Sequence, residues 1–381
     1  MMWDLKNIND NKKEILTKLK TCEDKKEKER LELTLATYIC MLNNSGAIRY
    51  TKFYNFIEQV TKGKFSLMSP RNKLIIKGEK IISDSKDYLD ENYLAFLLQL
   101  ANNISSTQDV IEDESEIKFE SLNLSNEELI KISKLFYFEL GDKEIYENSK
   151  KLLDSNDTLN VSQSFINDMK LANGLNFNDY VFNKSYCTII RENNIFDIQV
   201  LNHEIMHGID FYMLPKIPTD NYYGFHEVPT YTIDYMLIDY LEKLGLDSKE
   251  IQKMRLKKDS YIQSLASATL FQIKHKIASK KGFSLIKDYS ISDVMEIIDP
   301  IILKQLLEIE SGVIAYGLSK QYKIDSNLAI TNLKQFMKEI IPKDKRPDFS
   351  HLGLNDETLT ELSMEFGTYS LENKKYVSKG K

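Results

Sequence analysis

Apolar residues recur at three- and four-residue spacing along most of the chain, the pattern of helices that bury one face. Residues 12–43 are charged with apolar positions at this spacing, and residues 90–104 carry LAFLLQLA on one broad face. From residue 125, SNEELIKISKLFYFELG predicts a capped helix, with Ser125 as N-cap, Glu128 three positions on and Gly141 as the stop. The same rhythm runs over residues 144–153 and 162–172, then over 230–244, 247–279, 292–308 and 314–322. The exception is YCTIIRE at residues 186–192, a short β-prone run that follows the Asn- and Gly-containing stretch 173–183. Asn193 and Asn194 then make a turn, and a helix resumes near Ile195. The expectation is a mainly α fold with a small β-sheet.

Composition adds constraints. The 381 residues are 42% hydrophobic, ample for a sizeable core. The net charge is −6 and no block of like charge is long enough for a nucleic-acid arm, so no nucleic-acid partner is expected. No stretch approaches the roughly 18 apolar residues that span a bilayer. The first 20 residues are charged and lack an apolar signal-peptide core, so the expectation is a cytoplasmic protein without membrane contact. Cys22, Cys40 and Cys187 fit neither a disulfide framework nor a CxxC site and read as reduced thiols. The polar segment 108–120 reads as a surface loop, and the final KKYVSKGK as a solvated tail.

One stretch carries chemistry. LNHEIMHGID, residues 201–210, places His203 and His207 four residues apart, so on a helix both imidazoles leave one face within reach of a single zinc ion. Glu204 stands beside the first histidine. There its carboxylate can take a proton from a water activated by the metal, during attack on a peptide carbonyl, and deliver it to the leaving amine. The competing explanation is a solvated helix face that carries two histidines. A catalytic zinc takes a third protein ligand. GFHEVPTYTIDYML, residues 224–237, offers Glu227, twenty residues beyond His207, and its neighbour His226. Pro229 suits the first turn of a helix, which puts Glu227 at its start and Asp234 two turns along the same side. If Glu227 faces the metal, His226 points elsewhere.

These residues resemble the thimet oligopeptidase and oligoendopeptidase F family of zinc metallopeptidases. In that family HExxH is followed, on a second helix, by a ligand glutamate in a pattern close to F-x-E-x-P-S, with an acidic residue seven places on. Phe225, Glu227, Pro229, Thr230 and Asp234 fit it, with Thr for Ser and Asp for Glu. The family's strand, short turn and Asp six residues before the first histidine are matched by YCTIIRE, Asn193 with Asn194, and Asp197. The resemblance implies that this strand is a sheet edge on which Thr188, Ile189 and Ile190 pair with the substrate backbone. It also implies that Tyr316, in ESGVIAYGLSKQY at residues 310–322, contacts substrate and stabilises the oxyanion. Val313 stands where the family has another Tyr, and Gln305 and Leu306 where it has a His.

The implied protein is a mainly α, two-lobed zinc peptidase folded around a deep channel, with the small sheet beside the HExxH helix. One zinc ion per chain would be held by His203, His207 and Glu227, with Asp234 behind the ligands and Glu204 and Tyr316 catalytic. Its activity would be endopeptidase hydrolysis of short peptides. The implied organisation is an N-terminal helical lobe at 1–120, a catalytic region at 121–342, and a C-terminal helical segment and tail at 343–381. Two other functions stay open: a protein-specific metalloprotease of the toxin or effector type, and a catalytically silent peptide-binding relative.

Overall fold

The computed structural model describes residues 5–44, 89–105, 117–162, 173–215, 225–282, 288–341 and 346–366. Residues 163–172 of the helical run expected at 162–172, most of the loop at 108–120 and the tail beyond 366 lie outside them. The elements are α1 (Leu5–Thr21), α2 (Lys25–Asn44), α3 (Glu91–Ser105), α4 (Asn126–Glu139) and α5 (Lys143–Leu153). Then come β1 (Leu159–Ser162), β2 (Gly174–Asp179), β3 (Lys184–Ile190) and α6 (Phe196–Met213). They are followed by α7 (Val228–Lys243), α8 (Ser248–Lys281), α9 (Ile291–Ile297), α10 (Pro300–Ile324) and α11 (Ser326–Lys338), with a last helical run at 356–366. The fold is mostly helical with a small three-stranded sheet, as the periodicity predicts.

Local signals set most of these boundaries. At the start of α4, the Ser125 hydroxyl accepts from Glu128 N at 3.2 Å, and the Glu128 carboxylate accepts from Ser125 N at 2.7 Å. The chain leaves α4 through Gly141, whose φ of 76° is cheap only without a Cβ. Two expected runs divide differently. The run at 12–43 breaks before α2, where the Asp24 carboxylate accepts from Glu27 N at 2.7 Å. The runs at 292–308 and 314–322 become the short α9 and the long, uninterrupted α10. Pro300 causes the break: it lacks an N–H and disfavours a helical residue before it. Asp299 instead caps α10, its carboxylate accepting from Ile301 N and Ile302 N at 3.0 and 2.9 Å.

The chain forms two compact units, Met1–Gly78 with Leu122–Ile217, and Glu79–Ser121 with Pro218–Lys381. In the first, α1 packs on α2 and α2 on β2, around a core that includes Ile8, Ile15, Leu31 and Tyr38. The Tyr38 hydroxyl donates to the fully buried Asp179 carboxylate at the end of β2. β3 is the middle strand: β1 pairs parallel to it and β2 antiparallel. This corrects the expected edge. Thr188, Ile189 and Ile190 are in register with Asn160, Val161 and Ser162 on one side, and Thr188 and Ile189 with Leu175 and Gly174 on the other. The backbone of these three residues is committed within the sheet, so it is not a free edge for a substrate. Neither β1 nor β2 was visible in the sequence, and Ser162, expected to open a helix, closes β1. The first has four residues, and the second presents Asn176 and Asn178 where an apolar alternation would be sought.

In the second unit, α10 packs against α3, α7, α8 and α11. Arg255 on α8 ties down the end of α7 through Asp239 and Glu242, at 2.7 and 2.6 Å. Among the described residues no helix is long and apolar enough to cross a membrane.

Glu310 on α10 is buried and accepts from the Tyr93 hydroxyl at 2.6 Å. Burial pushes its pKa from the ordinary 4.5 to about 7, against the opposing pull of Tyr93 and the Arg346 charge. The folded protein therefore holds this proton more tightly than the unfolded chain does. Its stabilising contribution is complete below the unfolded pKa and is lost as pH rises through the folded one. Unfolding free energy measured by urea titration should fall between about pH 4.5 and 7, by at most on the order of 3 kcal/mol from this residue. Glu310→Gln should flatten that slope.

Candidate metal centre

His203, Glu204 and His207 stand on α6, and the chain anchors the start of that helix with a carboxylate. Asp197, 2% exposed, accepts from Glu192 N at 2.8 Å, Asn193 N at 2.9 Å and Arg191 Nε at 3.2 Å. Arg191, itself buried, also donates from Nη1 to Asn126 at 3.0 Å. Asn193 takes the left-handed conformation that asparagine tolerates, with φ 58°. Asn194 accepts from Phe196 N at 2.8 Å. A tight turn thus ends β3 and starts α6, two of its backbone N–H groups donating to Asp197.

Along α6, the buried side carries Ile198, Leu201, Ile205, Met206 and Ile209. Gly208 lets the helix approach its neighbours: a Cβ there would lie 2.7 Å from Leu152 on α5 and 2.9 Å from Ser185 Oγ on β3. Two side chains from other elements donate to backbone carbonyls of α6. Tyr137 Oη on α4 reaches Asn202 O at 2.9 Å, and Asn176 Nδ2 on β2 reaches Glu204 O at 3.1 Å. In this setting the His203 and His207 rings lie with centroids 5.0 Å apart, nearly perpendicular, and both are half-buried. Glu204, between them in sequence, is 7% exposed. Below it on β3, Cys187 is fully buried, and burial together with the Glu204 charge pushes its thiol pKa well up. It is a neutral thiol, consistent with the reduced cysteine expected.

Glu227 occupies the N-cap position of α7, with Pro229 in the first turn. Its carboxylate accepts from the Thr230 hydroxyl at 2.9 Å and lies 3.0 Å from His226 Nε2. His226, expected to point away from the metal if Glu227 faces it, has its Nε2 beside the Glu227 carboxylate. Thr230, which in the sequence only filled a pattern, orients the glutamate. Among the described residues the candidate metal ligands are the imidazoles of His203 and His207, in the first unit, and the carboxylate of Glu227, in the second. Nitrogen and carboxylate donors three in number suit a catalytic zinc, which keeps a further position open.

Asp234, two turns along α7, makes a buried ion pair with Lys258 Nζ on α8 at 2.8 Å. Lys258 also sits 3.2 Å above the Tyr231 ring. Nothing in the sequence picked out Lys258. Tyr316 on α10 is 8% exposed, its ring edge-on to Tyr235 and Phe366 and its hydroxyl donating to Glu365 at 3.1 Å. Thr188, Ile189 and Ile190 lie on the middle strand already described.

No protein-family model matches the chain. A curated relative, the tRNA(Ile)-lysidine synthase of Clostridioides difficile strain 630, is 26% identical over 290 residues, covering 73% of this chain and 60% of that protein. Three solved structures align with most of this chain at TM-scores below 0.5. A Bacillus anthracis Ames protein assigned as an oligoendopeptidase F is 12% identical with a TM-score of 0.46, over 92% of this chain and 65% of that one. A Chlamydophila abortus protein assigned as a peptidase is 13% identical with a TM-score of 0.48, over 93% and 63%. PZ peptidase A, solved with an inhibitor, is 12% identical with a TM-score of 0.47, over 93% and 71%. The similar solved structures are peptidases. At these identities and TM-scores no residue's role follows from the likeness. The chain spans 60% of the curated relative and 65% and 63% of the first two structures.

Asp197→Ala should test the anchor of α6. It leaves the buried Arg191 guanidinium without its carboxylate, a loss of about 3–5 kcal/mol by the usual measure of a broken buried pair. Urea unfolding of the variant should show a midpoint lowered accordingly.

Proposed function

We propose that the protein is a zinc-dependent endopeptidase that cleaves short peptides. The observation that carries this reading is the HExxH segment on α6, with two half-buried imidazoles on one face and the buried Glu204 carboxylate next to the first. Of the metal ligands, His203 and His207 come from this helix, and Glu227 is the third, its carboxylate held by Thr230 and His226. A zinc ion bound there would polarise a carbonyl oxygen and lower the pKa of a water to about 7.

Glu204 is the general base in this reading: it takes a proton from the attacking water and gives it to the leaving amine. Its burial excludes competing solvent from that exchange, and its place on a packed helix keeps it from swinging away. The contacts of Tyr137 and Asn176 with α6 fix the backbone that carries the first histidine. Asp234 acts at a distance, through the Lys258 pair that fixes α7 against α8.

The likeness to a tRNA-modifying synthase suggests a different substrate. The negative net charge offers no electrostatic footprint for RNA, so we favour the peptidase. A substrate panel separates the remaining alternatives. Cleavage of many short peptides supports an oligopeptidase, cleavage of one intact protein a specific protease, and binding without cleavage a silent relative.

Glu204→Gln should keep its zinc and its fold while losing peptide hydrolysis by about 10²–10⁴-fold, because a carboxamide does not accept the proton. Glu227→Ala should lose bound zinc on dialysis, read by elemental analysis. Near-normal turnover of the first variant, or full zinc in the second, would remove the respective assignment.

Tyr316→Phe tests the oxyanion role that the resemblance implied. A lost oxyanion donor costs about 10²–10³ in kcat. Because the hydroxyl is engaged by Glu365 and the ring is packed, the expected loss stays within a few-fold.

A further inference from the structure

β2 begins at Gly174, in register with Ile189 of β3, and its backbone runs against α6. A Cβ on Gly174 would lie 2.6 Å from both Cγ and Oε1 of Glu204, and 2.8 Å from Cγ1 of Val200. Real Cβ atoms do not approach heavy atoms that closely. The carboxylate of Glu204 therefore rests in space that exists because residue 174 has no side chain. Two positions along the same face of β2, Asn176 donates from Nδ2 to the Glu204 carbonyl at 3.1 Å and to Ser185 Oγ at 2.9 Å. One residue of β2 thus fixes the main chain of Glu204, and another leaves room for its side chain and limits where the carboxylate stands.

We propose that Gly174 is a positioning residue for Glu204. The inference rests on the reading of Glu204 as the general base. A glutamate side chain has three torsions to order, and a base displaced by about 1 Å loses roughly 10²-fold in rate. The three nearest atoms that a methyl group at position 174 would meet belong to Glu204 and Val200, and none of them to His203, His207 or Glu227. The methyl group moves the carboxylate instead, so its effect should fall on the proton-transfer step and not on zinc or substrate affinity.

The test uses the full chain. Gly174→Ala should bind zinc normally and lower kcat on a quenched fluorescent peptide by about 10- to 100-fold, with KM within about two-fold. Glu204→Asp shortens the side chain by one methylene and draws the carboxylate back from the added methyl. Gly174→Ala should therefore slow the Glu204→Asp enzyme far less than it slows the parent, whereas a general packing defect would slow both equally. Thermal unfolding of the metal-free protein gives a readout independent of activity: Gly174→Ala should lower Tm by less in a Glu204→Ala background than in the parent. If Gly174→Ala alone does not fold, Gly174→Ala with Val200→Ala removes the second overlap and carries the same comparisons. Unchanged kcat in Gly174→Ala, or equal Tm losses in the two backgrounds, would overturn the proposal. If Glu204→Gln proves fully active, the function assigned to Glu204 fails instead, and the unfolding comparison still decides whether Gly174 sets its position.

Discussion

The arrangement of the candidate site depends on one buried carboxylate. Asp197 gathers two backbone N–H groups of the preceding turn and the Arg191 guanidinium, and so fixes where α6 begins. A helix turns about 100° per residue. A start displaced by one residue would turn the face that His203 and His207 share through that angle and carry Glu204 away from β2. Burying a charge is costly unless it is paired and hydrogen-bonded. The two N–H donors and the guanidinium meet that condition, and the same contacts that neutralise the cost also set the register.

Apolar packing alone would not hold α6 so closely. Contacts among Ile198, Leu201, Ile205 and Ile209 are favourable but non-directional, and a helix can slide or roll on them. Directional bonds remove that freedom. Tyr137 and Asn176 each donate to a carbonyl of α6, at Asn202 and Glu204, and Asn202 Nδ2 reaches Ser133 Oγ at 3.0 Å. The contacts flank His203 on both sides. The polar groups in this interior therefore serve geometry as well as satisfaction.

Glu227 is held by a different device. At a helix N-terminus the aligned peptide dipoles favour an anion. Thr230 donates to the carboxylate from within the first turn, and the His226 ring adds a second contact. Further along α7, the buried Lys258–Asp234 pair joins α7 to α8. Removing either partner would leave an uncompensated buried charge, so this pair constrains the helix more firmly than a surface salt bridge would.

The chain's local grammar was legible without coordinates. Helical spacing, the Ser125 capping box, the Gly141 stop and the i, i+4 histidines all depend on bonds within one element, and short-range spacing encodes such bonds directly. Pro300 carried an equally local signal, and it explains one of the helix boundaries that periodicity misplaced. Tertiary structure decided the rest. Whether β3 is an edge or a middle strand depends on β1 and β2, whose four and six residues have no strong pattern of their own and become strands by pairing. Lys258 meets Asp234 across 24 residues, and Gly174 meets Glu204 across a strand–helix contact. Partners of this kind are chosen by which surfaces are buried together, and no spacing along the chain records that choice.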